Sequence, residues 1–215
     1  MCLRRVAALS AVAGYVELTG FVDFAGTYPG IMTGNTVQFG LSMATAEWAR
    51  LGIFGYAIAM FFIGGALSSA VKHWLRTPTE VLVMVALLTA ASTFRLIASA
   101  RWSVELPLLA FVMALQGQAV AKFGGLSLQT IVVTNNVLKF SDALVGRYLL
   151  GRKRSRDSVP SLREVLAPGC AWLSYALGAV AAAIAIPRFQ FPLLIPTIFV
   201  LVVLIDLMTQ RIDYS

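Results

Sequence analysis

Between Arg50 and Lys72 the chain runs for 21 residues without a charged side chain. A helix needs about 20 residues, at about 1.5 Å each, to cross the hydrocarbon of a bilayer. Residues 49–71 therefore read as a clean membrane span, with Gly64-Gly65 and Ser68-Ser69 as small contact residues. The rest of the chain agrees: it is 59% hydrophobic and 13% charged, with a mean hydropathy of +0.81. Soluble domains carry roughly 25% charged residues. With so little polar surface a soluble fold of 215 residues could not cover itself, so an integral membrane protein is expected.

Further spans are expected at about 5–28, 79–100, 106–122, 165–186 and 191–209. The first begins after Arg4 and Arg5, as a signal peptide would, but Glu17 and Asp23 do not suit a cleavable apolar core. Cys2 is not preceded by a signal segment, so no lipoprotein anchor is expected, and Cys2 and Cys170 show neither CxxC nor metal spacing. Residues 29–47 differ from the spans. Pro29 and Gly30 interrupt the pattern, and the helical piece that follows is too short for the hydrocarbon, so it reads as a re-entrant or broken helix. Gly26, Gly30 and Gly34 stand four apart, a spacing that lets another backbone approach. Residues 128–149 form a second polar segment of this kind, preceded by the helix-breaking pair Gly124-Gly125.

The two polar segments carry one motif. Met32-Thr33-Gly34-Asn35-Thr36-Val37-Gln38-Phe39 is repeated 101 positions later as Val133-Thr134-Asn135-Asn136-Val137-Leu138-Lys139-Phe140. At the same offset Glu17 pairs with Gln118. The expected fold is an all-α polytopic membrane helix bundle of about six spans. It is built as two three-span repeats, 1–104 and 105–215, each with a short broken or re-entrant helix carrying the TGN-like motif. The second repeat contains a basic loop, 150–164.

Charge decides the orientation. With six spans, Arg4, Arg5, Lys72, Arg76 and the cluster Arg147, Arg152, Lys153, Arg154, Arg156 and Arg163 share one side, leaving Arg50, Arg101 and Arg188 opposite. With eight spans, Lys72 and Arg76 change sides. The positive-inside rule favours six, with both termini cytoplasmic. Three spans per repeat is an odd number, so the repeats are inverted, which is a transporter pattern. The same clustering assigns the net charge of +7 to topology and to anionic lipid rather than to nucleic acid.

Glu17 is the foremost candidate for chemistry. An ionised carboxylate near the middle of a span is costly and must pair, hydrate or take up a proton, which suits a proton-coupled step. The competing reading is a structural hydrogen bond between helices. Thr33, Asn35 and Gln38 of the first motif, and Thr134, Asn136 and Lys139 of the second, supply donors, acceptors and one cation. Where such motifs open half-helices, their free N–H groups suit an anionic ligand group. The bland alternative is polar glue between helices, worth about 0.6 kcal/mol per bond. With Glu17 and Gln118 these six residues make the expected substrate site. Lys139 and Asp142 are spaced as a helical pair, Arg95 is placed to snorkel, and Asp23 and Asp206 lie near span ends with solvent access.

Catalysis finds little support. The single histidine, His73, lies in a basic loop, and no Walker-type Gly-rich lysine motif is present. No enzyme activity, cofactor or metal is expected. The expected partners are the lipid bilayer and a small solute or a proton.

Gly14-Tyr15-Val16-Glu17-Leu18-Thr19-Gly20-Phe21, followed by Met32-Thr33-Gly34-Asn35, resembles the YoaK-like family of bacterial multi-pass membrane proteins of unknown function. In the second half, Gln116-Gly117-Gln118-Ala119, Lys122 and Thr130 through Asn135 resemble that family's Gln-Asn-Ala stretch, basic residue and Thr-Thr-x-Val-Thr-Gly. Glu17 stands where the family has Asp, Gly117 where it has Asn, and Asn135 where it has Gly. The resemblance implies about six spans and a bacterial cytoplasmic membrane, and it implies no substrate.

The expected function is a small-solute secondary transporter or permease with a polar site where the repeats meet. The alternative is a non-transporting membrane scaffold or assembly partner, in which the polar motifs only pack helices.

Overall fold

The computed structural model describes residues 2–71, 77–119, 122–123, 126–127, 131, 133–148 and 160–212. Lys72, His73 and Arg76, the pair Gly124-Gly125, Thr130 and the basic connector through residue 159 lie outside the described residues.

Among the described residues the architecture is helical. Helix α1 is Cys2–Asp23, α2 Met32–Ala44, α3 Trp48–Val71 and α4 Thr77–Phe94. A π-helical turn, Arg101–Glu105, runs directly into α5, Leu106–Ala119. A two-residue antiparallel ladder follows, β1 Lys122–Phe123 with β2 Leu126–Ser127. Helices α6 Val133–Tyr148, α7 Leu162–Ala185 and α8 Leu194–Ile212 complete the chain.

Among the described residues three helices are long and apolar enough to cross a membrane: Leu3–Asp23, Trp48–Ala70 and Leu162–Ala185. Thr79–Phe94 and Leu194–Thr209 are shorter apolar helices. The motif helix α2 has 13 residues, about 20 Å, and so falls short of a ~30 Å hydrocarbon core. The second motif helix α6 has 16 residues, but α5, expected as a span over 106–122, has only 14, so length alone does not set the motif helices apart.

The helix contacts come in matched pairs. α1 packs on α7 and α5 on α3; α2 packs on α3 and α6 on α7; α1 packs on α8 and α5 on α4; α4 meets α8. Exchanging α1–α4 with α5–α8 returns the same set. Helices α1 and α5 are central. Leu9, Val12, Val16, Leu109 and Met113 are buried with Leu88 of α4 and Val200 of α8.

Small residues set the closest approaches. A Cβ at Gly14 would lie 2.0 Å from the Tyr175 carbonyl oxygen, and one at Gly178 would lie 2.0 Å from that of Ala11. The α1 and α7 backbones thus touch at two points. Gly64 seats α3 on α5 in the corresponding way, with its Cβ position 2.6 Å from the Phe111 ring. Gly64 and Gly178 are 114 positions apart, rather than 101, because the polar connector lengthens the second half.

Charge placement departs from the sequence expectation at one end of the bundle. Arg95 does not snorkel, and Asp23 is not in solvent. The Arg95 guanidinium donates from Nε and Nη2 to both Asp23 carboxylate oxygens, at 2.7 and 2.9 Å, with both side chains under a tenth exposed. Glu105 is fully buried 3.8 Å from the same guanidinium. The chain turns after Phe94, where the expected span ran on to residue 100, so Arg95 is the first residue past α4 and is captured by Asp23 at the end of α1 before it reaches water. Asp206 stays partly exposed and pairs with Arg5 of α1 at 2.5 Å.

Candidate functional site

Helix α1 ends in a left-handed turn. Gly26, at φ +85°, closes it by donating its N–H to the Phe21 carbonyl at 3.0 Å. The chain then doubles back along α1. Gly20 makes room for this, since a Cβ there would lie 2.3 Å from the Pro29 ring. Pro29 and Gly30 thereby reach the middle of α1, and Gly30 donates its N–H to Glu17 Oε2 at 3.2 Å.

The Glu17 carboxylate thus sits at the foot of α2, where the first N–H groups of a helix lack intrahelical partners. Its side chain is buried, with 2% exposure, and Oε1 has no hydrogen-bond partner. None of the ion pairs among the described residues includes it. A Cβ at Gly30 would stand 2.3 Å from Oε1, so the absence of a side chain there lets the carboxylate in.

The motif residues divide by direction. Residues two apart on a helix point to nearly opposite sides. Asn35 turns inward and clamps the preceding loop: Oδ1 accepts from the Tyr28 N–H at 3.0 Å, and Nδ2 donates to the Tyr28 carbonyl at 2.7 Å. The Tyr28 ring in turn lies 5.0 Å from that of Phe21. Thr33 turns outward toward a cavity, and Gln38 is half-buried farther along α2. In α6, Asn136 is buried like Asn35, Thr134 faces the cavity like Thr33, and Lys139 and Asp142 are exposed. Gln118 lies exposed at the end of α5.

The cavity, of about 460 Å³, joins the two motif starts. Gly30, Ile31, Met32 and Thr33 line it from the first half, and Ile131, Val133 and Thr134 from the second. Phe61 of α3 and Tyr175 of α7 complete the wall. This lining is itself paired. Gly30 with Ile131, Met32 with Val133, and Thr33 with Thr134 keep the 101-residue offset, and Phe61 with Tyr175 keep the 114-residue offset of the crossing glycines. The cavity therefore sits where exchange of the halves carries it onto itself.

Of the expected site residues, Thr33 and Thr134 come together on the cavity wall, with Glu17 directly behind Gly30. Asn35 serves the loop, and Gln38, Gln118 and Lys139 do not line the cavity. Gln116, Phe61 and Tyr175 were not singled out by their chemistry. Gln116 is fully buried and donates to the Leu9 carbonyl at 2.9 Å, tying α5 to α1. Tyr175 lies within electrostatic range of Glu17. A polar residue in an apolar run marks Gln116. Phe61 and Tyr175 carry no local signal and emerge only when the glycines that follow them are aligned. Among the described residues no group of three His, Cys, Asp or Glu side chains is placed to hold a metal ion.

A family model described as "Protein of unknown function (DUF1275)" matches residues 6–205. The chain is also similar to the UPF0700 transmembrane protein YoaK of Bacillus subtilis (strain 168). The two are 24% identical over 221 residues, which cover 96% of this chain and 93% of that protein. No solved structure matches the chain. The match runs from the first buried turn of α1 to the last turns of α8, and with the apolar helices it carries the conclusion that this chain belongs to the DUF1275 family and is a multi-pass membrane protein.

Proposed function

We propose that the protein is a small-solute secondary transporter or permease of the bacterial cytoplasmic membrane, with its site where the two halves meet. One observation carries this reading: the starts of both motif helices converge on a single cavity, with a carboxylate lacking a full set of partners directly behind its wall. Discontinuous helices meeting at a repeat interface are the binding architecture of many secondary transporters. The basic residues support cytoplasmic termini and inverted halves. Glu17 carries charge or a proton through the transport cycle, and the apolar wall shields it from bulk water.

The test is reconstitution into liposomes with an imposed proton gradient and a panel of labelled amino acids, amines, organic acids and sugars. Gradient-dependent uptake of at least one solute is expected, lost in Glu17→Gln while the protein stays folded. Absence of flux across the panel overturns the reading.

A second reading, a non-transporting scaffold, draws on Asn35, whose side chain is spent on the Tyr28 backbone. On that reading Glu17→Gln and Asn35→Ala lower thermal stability and alter no flux.

A further inference from the structure

At the end of α1 away from Arg5, two carboxyls meet one guanidinium. Asp23 ends α1, Arg95 is the first residue past α4, and Glu105 closes the π-helical turn before α5. The Nε of Arg95 carries a single hydrogen, and Asp23 Oδ2 accepts it at 2.7 Å. Nη2 donates to Asp23 Oδ1 at 2.9 Å. Glu105 Oε1 lies 3.8 Å from the same Nε. At that distance, and with the hydrogen already given to Asp23, the contact is an attraction without a hydrogen bond.

The Glu105 side chain is fully buried, and neither of its oxygens has a hydrogen-bond partner among the described residues. Arg101, on the same turn, gives its Nε to the Arg95 carbonyl and forms no ion pair with either carboxylate. Tyr15 of α1, the other titratable group within range of Arg95, donates its hydroxyl to the Pro192 carbonyl at 2.8 Å. Buried polar groups are ordinarily hydrogen-bonded, and an ionised Glu105 here accepts nothing. Burial and the negative charge of Asp23 favour its neutral acid, against the pull of Arg95 and Arg101. Residues 96–99, which follow Arg95, are exposed, so a proton has a short path between the cluster and the surface.

We propose that Glu105 is a proton-binding site, and that its protonation decides which carboxyl holds Arg95. With the O–H bond formed, Glu105 is neutral and Arg95 stays on Asp23 alone. When that proton leaves to water, Glu105 becomes a second anion competing for one guanidinium, and the tie between the ends of α1 and α4 slackens. The site stands apart from the cavity and depends neither on Glu17 nor on transport. With the termini placed as proposed above, it faces away from the cytoplasm.

Trp102 is a reporter built into the cluster. It lies on the same turn, three positions before Glu105, and its ring meets that of Phe24 edge-on at 5.2 Å. Phe24 directly follows Asp23, so this ring contact bridges the segments that carry the two carboxyls.

The full chain in detergent is titrated from about pH 5 to about pH 9 while tryptophan fluorescence is followed. The part of the signal absent in Trp102→Phe reports this site. One single-proton transition is expected. Glu105→Gln should abolish it, and it leaves the Asp23–Arg95 pair in place, so the helices stay folded by circular dichroism. Asp23→Asn should keep the transition and move its midpoint down by about one pH unit or more, because Glu105 then loses an anionic neighbour and gains the guanidinium. Where Glu105→Gln does not fold, that downward shift decides. Glu17→Gln and His73→Gln, which removes the single histidine, should leave the midpoint in place. No transition in the parent, a transition that survives Glu105→Gln, or an unmoved midpoint in Asp23→Asn overturns the inference. A transition lost in Glu17→Gln assigns the proton to the carboxyl behind the cavity and overturns it as well. A midpoint that moves when sodium chloride replaces choline chloride assigns the site to a metal cation, with the same result.

Discussion

Replacing Arg95 by methionine probes the costliest arrangement in the bundle. Arg95 answers Asp23 with two hydrogen bonds and lies 3.8 Å from Glu105, whose carboxylate is fully buried and accepts no hydrogen bond. Arg101 makes no ion pair with either carboxylate; its Nε donates to the Arg95 carbonyl at 3.0 Å and it acts on Glu105 only at longer range. Arg95→Met therefore leaves two buried carboxyls without their shared cation. Removing one partner of a buried pair costs about 3–5 kcal/mol. Removing every charge from such a cluster costs far less, so the triple variant Asp23→Asn, Arg95→Met, Glu105→Gln should lie within about 2 kcal/mol of the parent. Reversible unfolding in mixed micelles, followed by helical circular dichroism, measures both. Arg50→Met is the control, since its pair with Glu47 is half exposed and solvent-screened pairs of this kind contribute little. A loss below about 1 kcal/mol for Arg95→Met, or a triple variant as unstable as the single one, would refute the claim that these carboxylates depend on Arg95.

Two further outcomes are expected from the packing. Gly14→Ala or Gly178→Ala drives a methyl into a backbone carbonyl, which neither helix can avoid by a rotamer change. Each should cost about 3 kcal/mol or more, at the top of the overpacking range, whereas Gly52→Ala, with open space around it, should be neutral in the same unfolding assay. Asn35→Ala removes both side-chain bonds to Tyr28 and should cost about 1–3 kcal/mol, with faster hydrogen exchange over residues 24–31; unchanged exchange would show that the loop does not depend on the clamp.

Much of the fold was legible because one motif recurs in the chain at a fixed offset. The 101-residue offset between Thr33 and Thr134 marks two equivalent helix starts, and those starts meet. The site was legible only in part, for geometric reasons. A motif written along a helix spreads its residues around the axis, so Thr33 reaches the cavity while Asn35, two positions on, reaches the loop behind it. A string of polar residues does not say which way each will point. Phe61 and Tyr175 escaped notice because their repeat offset is shifted by the connector and because aromatic residues are common in spans. The Asp23–Arg95 pair escaped for another reason. It joins residues 72 positions apart, and only the turn after α4 determines that they meet.

The departures from equivalence carry more information than the equivalence itself. The helix pairings survive exchange of the halves, although their closeness differs, since Gly178 meets the Ala11 backbone and Gly64 the Phe111 ring. Charges do not. At one end of the bundle the start of α1 offers Arg5 to Asp206 of α8, and at the related contact the π-helical turn before α5 offers Glu105 to Arg95, the first residue past α4, with the signs reversed. Glu17 is matched at the 101-residue offset by Gln118, a buried carboxyl in one half and an exposed neutral amide in the other. Burying an ionised side chain is expensive in a membrane, and a bundle that needed only to cohere would pack at least as well with neutral side chains at these points. The asymmetry falls beside the cavity and at the contacts between the central helices and α4 and α8. On the transporter reading proposed above, these are the places where a solute would be recognised and where one half would shift against the other.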